Sequence, residues 1–275
     1  MMNFIIDKEW LLKNLHEQVR VIDCSFSLGN PEKGRQEYEK SHIPGAIYFD
    51  LEKDLSGAAG KHGGRHPLPN IDDFIQKLEQ AGIDERTTVI AYDQGEGAFA
   101  ARFWWLLQYL GHEKVYVLDG GFKGWTEVNY PITSEVPTYD RAAFKINMNH
   151  EVLASMEEVR EVSRGQDPHT ILIDSREERR YLGLEEPIDK KAGRIPGALN
   201  KPWFEGLSAG YYKPADVQKQ RFIDISPESQ IIVYCGSGVT AAPNFLSLKA
   251  AGFEKVKLYL GSFSDWISYD ENEIG

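Results

Sequence analysis

The sequence predicts an α/β protein made of two tandem copies of one unit, each a mainly parallel sheet with helices on both faces. Two observations support this fold class. Four blocks of sequence occur twice, in the same order in each half of the chain. Within each half, short runs of β-branched residues alternate with helical patterns, which is typical of strands joined by crossover helices. An ordered internal repeat of this length indicates a duplication.

The four repeated blocks can be read directly from the chain. When the repeated blocks of the two halves are aligned, Asp93 of the first half lies opposite Cys235 of the second half. The first-half blocks are VRVIDCS, SHIPGAIYF, TTVIAYDQGEG and GHEKVYVLDGGFKGW, and the second-half blocks are TILIDSR, GRIPGALNK, SQIIVYCGSGV and GFEKVKLYLGSFSDW.

The hydrophobic pattern gives the elements of each copy in order. Gly82 and Gly111 favour helix ends, and Pro131 and Pro137 favour a connecting segment. We therefore predict a first domain over 1–135, a linker over 136–150 and a second domain over 151–275. The predicted strands are 20–23, 46–49, 88–92, 115–118, 171–174, 198–200, 231–234 and 256–259, and the predicted helices are 71–81, 98–110, 155–163, 216–222 and 241–250.

Composition excludes several classes of function. The chain of 275 residues has a net charge of −11, which argues against nucleic acid or an anionic membrane surface as a partner. No apolar run approaches the roughly 20 residues of a spanning helix, and the N-terminal residues lack an export signal. The two cysteines have no metal-binding spacing. We expect a cytoplasmic protein without a metal or cofactor, and a monomer is compatible with the composition.

Cys235 is the strongest candidate for a reactive residue. It ends a predicted buried strand, where parallel α/β units bind ligands, and Gly236 and Gly238 allow a tight turn into the next helix. Such a turn points main-chain N–H groups at one spot, and the helix start near Thr240 adds its own. We therefore predict a sulfur anion at Cys235, held by amides.

The two other residues at comparable positions are predicted not to react. Cys24 lacks a glycine turn and aligns with Ser175, so it is interpreted as a small buried hydrophobe. Asp93 cannot act as a sulfur nucleophile, so the first domain is predicted to be catalytically inert. Cysteine phosphatases use a similar loop but need an arginine six places after the cysteine, where this chain has Ala241.

These residues resemble the two-domain rhodanese family of sulfurtransferases. YEKSHIPGAIYF is similar to the N-terminal signature of that family, and LDGGFKGW and YLGSFSDW are similar to its closing element. CGSGVTA resembles the active-site loop of the 3-mercaptopyruvate branch of the family. The resemblance covers nearly the whole chain.

The resemblance implies that a sulfur atom moves from 3-mercaptopyruvate or thiosulfate to a thiophilic acceptor, such as cyanide or a thiol, through a persulfide on Cys235. No cofactor is required. The alternative is a non-catalytic binding or regulatory module of the same shape. The loop would hold the anionic donor and the persulfide through Gly236, Ser237, Gly238, Val239 and Thr240.

The resemblance also assigns residues outside the loop. Arg180 matches a substrate-binding arginine, and His66 matches a histidine that approaches the loop serine, here Ser237. A second arginine common in the mercaptopyruvate branch is replaced by Ile188. The alternatives for its role are Lys190 and Lys191, and the acidic partner of the histidine would fall near Glu52.

Overall fold

A computed structural model describes residues 4–15 and 18–275. In the first half, the described residues form a five-stranded parallel sheet with the strand order β1-β5-β4-β2-β3. Its strands are β1 (Ile5–Ile6), β2 (Val19–Asp23), β3 (Ala46–Tyr48), β4 (Thr88–Tyr92) and β5 (Val115–Leu118). Its helices are α1 (Lys8–Asn14), α2 (Glu32–Lys40), α3 (Ile71–Gln80), α4 (Ala98–Tyr109) and α5 (Gly121–Glu127).

The second half contains a four-stranded parallel sheet with the order β11-β10-β6-β7, and a short antiparallel hairpin of β8 and β9. The strands are β6 (Thr170–Asp174), β7 (Leu199–Asn200), β8 (Leu207–Ser208), β9 (Tyr211–Tyr212), β10 (Gln230–Tyr234) and β11 (Val256–Leu258). The helices are α6 (Met156–Ser163), α7 (Glu178–Tyr181), α8 (Ala215–Arg221), α9 (Ala241–Ala251) and α10 (Ser262–Trp266), with 3-10 turns at His150–Val152 and Trp203–Gly206.

The predicted duplication is confirmed at the level of the fold, because both halves are parallel α/β sheets with the same central strands. Every predicted strand and helix is present, and each bound lies within one residue of the predicted one. Strands β1, β8 and β9 and helices α1, α2, α5, α7 and α10 were not predicted; most of them are shorter than two helical turns or have only two residues, so their sequence period is weak.

Helix α4 and helix α9 pack against each other and join the two halves. Both helices are apolar on nearly all sides, as expected for elements buried between two sheets. The Trp104 ring lies 6.0 Å from the Phe245 ring across this contact and 5.2 Å from the Phe4 ring. A single cluster of buried side chains includes residues of both halves. The aromatic stripe of α4 is therefore a domain interface.

The segment that connects the two sheets lies along the first half. The Tyr139 hydroxyl donates to the Gly45 carbonyl oxygen at 2.8 Å, and the Asn147 N–H donates to the Leu110 carbonyl oxygen at 3.0 Å. We propose 136–150 as the linker between domains 1–135 and 151–275. Among the described residues, no helix is both long enough and apolar enough to cross a membrane.

We expect Trp104→Ala to lower the free energy of unfolding by about 3–5 kcal/mol, because it leaves a cavity in the shared core. The matched control is Trp10→Ala, whose side chain is 36% exposed and should cost less than about 1 kcal/mol. Urea unfolding followed by circular dichroism measures both values. Equal losses for the two variants would contradict a shared core centred on α4 and α9.

Candidate active site

Cys235 lies immediately after β10, a central strand between β6 and β11. Its N–H donates to the Ser262 hydroxyl oxygen at 3.1 Å, and its carbonyl oxygen accepts the Phe263 N–H at 3.0 Å. The side chain is 1% exposed. The predicted position at the carboxyl edge of the sheet is therefore confirmed, and the main chain of the cysteine is held by the start of α10.

The loop after Cys235 contains one main-chain donor to its sulfur and several main-chain donors without an acceptor. The Gly238 N–H donates to the Cys235 Sγ at 3.1 Å. The N–H groups of Ser237, Val239, Thr240 and Ala241 donate to no acceptor within the described chain. Buried amides are nearly always paired in folded proteins. These amides are consequently available to a ligand or to an anion carried by the sulfur.

Gly238 is required by the path of the loop. Its φ is +77°, a left-handed conformation that favours glycine. A Cβ added there would also overlap the Leu260 carbonyl oxygen. The loop can therefore turn its amides inward only with a glycine at this position.

The first half contains the same loop with its own anion. Asp93 follows β4 as Cys235 follows β10, and its carboxylate accepts four main-chain N–H bonds. The donors to Oδ1 are Gly95 at 3.0 Å and Gly97 at 2.8 Å, and the donors to Oδ2 are Phe99 at 3.1 Å and Ala100 at 3.2 Å. The duplicated geometry thus binds an anion, which in the first half is a side chain of the protein itself.

Arg102 places a buried positive charge beneath the cysteine loop. The residue is 0% exposed, and its guanidinium donates to the carbonyl oxygens of Gly238, Leu55, His66 and Pro67 at 3.0–3.2 Å. Among the described residues it has no carboxylate partner. Burial lowers its pKa to about 9, while the negative charge of Cys235 acts in the opposite direction. The contact of Arg102 with the loop was not predicted from the sequence.

His66 hydrogen-bonds the loop serine, as the resemblance implied. Its Nδ1 lies 2.8 Å from the Ser237 Oγ. Burial lowers the pKa of His66 to about 4, and the positive charges of Arg102 and Arg65 act in the same direction. The imidazole is consequently neutral at physiological pH. Glu52 is exposed and makes no hydrogen bond to His66 in the described chain, so the prediction of an acidic partner there is wrong.

Arg180 lies at the mouth of the loop. A Cβ built on Gly236 would be 3.3 Å from the Arg180 Nη2. The guanidinium pairs with Glu186 Oε1 at 2.8 Å and with Asp189 Oδ2 at 2.9 Å. Arg65 lies on the other side of Gly236 and pairs with the same Asp189.

The predictions for the two lysines and for Cys24 have different outcomes. Lys190 and Lys191 are exposed and line an outer cleft of about 460 Å³ instead of reaching the loop. Cys24 is fully buried, and burial raises the pKa of its thiol well above the ordinary value, which agrees with a structural role. Arg65 and Asp189 were not predicted, because only the fold brings them to Gly236.

Comparison with known proteins decides the family. The model of the rhodanese-like domain matches residues 7–128 and 155–269. The chain belongs to the rhodanese family. A probable 3-mercaptopyruvate sulfurtransferase of Pseudomonas aeruginosa is 40% identical over 90% of this chain and 89% of its own length. Thiosulfate sulfurtransferase of Rattus norvegicus is 32% identical over 95% of this chain and 91% of its own length.

The fold of this rhodanese also matches solved structures. The crystal structure of SseA from Escherichia coli, a 3-mercaptopyruvate sulfotransferase, superposes with a TM-score of 0.85. It is 31% identical, and the match covers 96% of this chain and 100% of that one. The predicted family, fold class and sulfurtransferase activity are therefore confirmed, and the non-catalytic alternative is not favoured.

We expect His66 to make stability depend on pH. Its folded-state pKa of about 4 is below the ordinary 6.5, so the neutral form is favoured by folding. This contribution is present above pH 6.5 and is lost as the pH falls towards 4, by up to about 3 kcal/mol. The advantage of the wild type over His66→Gln should shrink across this range in urea titrations.

The control for this measurement is Gln166→Ala, since Gln166 is exposed and carries no titratable side chain. Its difference from the wild type should stay constant over the same pH range. A constant difference for His66→Gln as well would show that His66 is not held neutral by burial.

Proposed function

We propose that this rhodanese transfers sulfur through a persulfide on Cys235 and that 3-mercaptopyruvate is its preferred donor, with thiosulfate as the alternative. The observation that carries the proposal is the Gly238 N–H bond to the Cys235 Sγ, in a loop whose other N–H groups, those of Ser237, Val239, Thr240 and Ala241, have no acceptor in the described chain. The corresponding loop of the first half is filled by the Asp93 carboxylate. An anion on sulfur fits the second loop as the carboxylate fits the first.

In the first step, the Cys235 thiolate attacks the sulfur of 3-mercaptopyruvate. The sulfur–sulfur bond forms as the carbon–sulfur bond breaks, and the electron pair leaves as the enolate of pyruvate. The proton of the donor thiol is transferred to the enolate carbon. The products are pyruvate and a Cys235 persulfide anion, which the amides of the loop stabilise.

In the second step, a thiophilic acceptor removes the outer sulfur. Cyanide attacks this atom, the sulfur–sulfur bond breaks, and the electron pair returns to the Cys235 sulfur. Thiocyanate leaves and the thiolate is restored. A thiol acceptor, after losing its proton, reacts in the same way and leaves as a persulfide.

The two donors differ in whether a proton must be transferred together with the sulfur, and our choice of 3-mercaptopyruvate rests on this difference. Transfer from thiosulfate releases sulfite and moves no proton, whereas transfer from 3-mercaptopyruvate moves one from sulfur to carbon. The Ser237 hydroxyl and the His66 imidazole, 2.8 Å apart, form a pair that can pass this proton. The neutral state of the imidazole leaves it able to accept a proton.

Two further features of the chain agree with this proposal. Residues 236–240 include no lysine or arginine. A positive side chain next to the nucleophile would stabilise thiosulfate most, because thiosulfate carries two negative charges. The composition of the loop therefore favours 3-mercaptopyruvate. Both cysteines are free, and we propose a reducing, cytoplasmic location in which a free thiol persists.

Cys235→Ser should abolish thiocyanate formation with either donor, because a hydroxyl cannot accept sulfane sulfur. Cys24→Ala is the matched control and should retain activity, since Cys24 is a buried core residue. Mass spectrometry of the protein after incubation with donor should show about 32 Da, the mass of one sulfur atom, added to Cys235. Persulfide formation on Cys24 or activity in Cys235→Ser would disprove the mechanism.

The kcat/KM for 3-mercaptopyruvate should exceed that for thiosulfate. His66→Gln should lower kcat with 3-mercaptopyruvate by about 10²-fold or more, the usual size of a lost proton transfer, and should change thiosulfate turnover far less. Steady-state kinetics with both donors measure this. Equal losses with the two donors would contradict a role for His66 in proton transfer.

A further inference from the structure

A cleft of about 460 Å³ lies outside the cysteine loop, between the two halves of the chain. The first half contributes Lys61 and Arg65 to its lining. The second half contributes the segment 188–191 and, from helix α10, Ser264. The volume is typical of a site for a small molecule. The outer cleft is therefore a candidate binding site that is built by both domains.

The inner end of the outer cleft lies next to the nucleophile. Arg65 and Asp189 line the cleft, and both lie beside Gly236, the residue after Cys235. A Cβ built on Gly236 would be 2.9 Å from Arg65 Nη2 and 3.5 Å from Asp189 Oδ2. The cleft therefore connects the solvent with the surroundings of the reacting sulfur.

The outer cleft carries positive charge that nothing in the described chain compensates. Lys61, Lys190 and Lys191 are exposed and line it. Their ammonium groups form no ion pair or hydrogen bond with any other described residue. Asp189 is the one acidic residue among the described residues of the lining, and both of its oxygens already pair with arginines. Three unpaired lysines thus meet in a chain whose net charge is −11.

The first-half wall of the cleft is fastened to the second half. The Gly63 N–H donates to the Asp265 Oδ1 at 2.6 Å. The His62 ring stacks on the Tyr269 ring, with 4.0 Å between the ring centroids. The two walls are consequently already in place, and a ligand would bind without ordering a loop.

Apolar side chains lie among the charged residues of the cleft. Ile188 is 53% exposed and lines the cleft together with Ile267. A ligand with a short carbon chain between its anionic groups would cover these side chains while its charges face the lysines. Lysine ammonium groups act as flexible point charges and do not impose a fixed geometry on a carboxylate. Such a site suits a molecule that binds briefly and leaves.

We infer that the outer cleft binds the sulfur acceptor and that Lys61, Lys190 and Lys191 select low-molecular-weight thiols with two or more carboxylates. The inference rests on the proposed function, because an acceptor acts only on a persulfide at Cys235. The donor is a poorer match for the cleft. Its charge is close to the transferred sulfur, at the loop, which Lys190 and Lys191 do not reach.

The lysines would act on the carboxylates of the acceptor and not on the reacting atoms. The acceptor thiol first loses its proton to the solvent, and nearby positive charge favours the thiolate. The thiolate attacks the outer sulfur of the persulfide. A sulfur–sulfur bond to the acceptor forms as the bond to the Cys235 Sγ breaks, and the electron pair returns to that sulfur. The acceptor leaves as a persulfide.

The test measures how fast a persulfide on Cys235 is discharged by two thiols. The protein is loaded with 3-mercaptopyruvate or thiosulfate, and the excess donor is removed. Mercaptosuccinate, which carries two carboxylates, and neutral 2-mercaptoethanol are then added separately. Mass spectrometry follows the loss of about 32 Da from Cys235. The ratio of the two rates reports recognition of the carboxylates, because a change in the reactivity of the persulfide cancels.

We expect Lys61→Gln, Lys190→Gln and Lys191→Gln each to lower the ratio of mercaptosuccinate to mercaptoethanol rates by about two- to threefold, the size of an exposed ion pair. The triple variant should lower it by roughly tenfold, since effects at separate sites add in free energy. Added salt should lower the ratio of the wild type towards that of the triple variant, because salt screens exposed charges.

The control is a triple variant in which Lys40, Lys145 and Lys219 are changed to Gln. These lysines are exposed and lie outside the lining of the cleft, so the net charge changes equally. The control should keep the ratio of the wild type.

Two results would overturn the inference while leaving sulfur transfer intact. In one, the persulfide forms but the triple variant of the cleft keeps the ratio of the wild type. In the other, the control lowers the ratio as much as the variant of the cleft does. A protein that forms no persulfide on Cys235 would instead contradict the proposed function, and the acceptor site would be lost with it.

Discussion

Unpaired main-chain N–H groups in a buried loop are the constraint on which the rest of this structure depends. Buried donors of this kind are nearly always paired with another group of the protein, with ordered water or with a ligand. The first domain fills its copy of the loop with the Asp93 carboxylate, and the second domain places the Cys235 sulfur there instead. The second loop therefore has main-chain N–H groups already in place for the sulfur anion that the proposed persulfide mechanism requires.

The first domain contributes side chains to the surroundings of the Cys235 loop, although its own loop has Asp93 in place of a cysteine. The first half contributes Arg102 below the loop, His66 beside it and Arg65 at its mouth. In return, the hairpin of β8 and β9 covers the first domain, where the Tyr212 N–H donates to Asp119 Oδ1 at 2.8 Å. The surroundings of the Cys235 loop are thus built by both copies and not by the second copy alone.

Charge around the nucleophile is arranged in two layers. Arg102 is fully buried and fixed by four carbonyl oxygens, so it offers a permanent positive charge to the loop. The arginines at the mouth, Arg65 and Arg180, are paired with the carboxylates of Glu186 and Asp189. Although the whole chain carries a net charge of −11, arginine side chains and main-chain N–H groups are concentrated around the Cys235 loop.

The sequence by itself determined the duplication, the parallel sheets and the cysteine loop, since strand periodicity, glycine positions and the strand-to-helix turn are local properties. It also placed His66 and Arg180, through short motifs. Only the tertiary structure decided which charged side chains contact each other and the Cys235 loop. Arg65 and Asp189 are far apart in the chain, and Arg102 lies inside an apolar helix, so no local pattern reports their contacts. The error at Glu52 has the same cause, because contacts between distant loops depend on how the two domains pack.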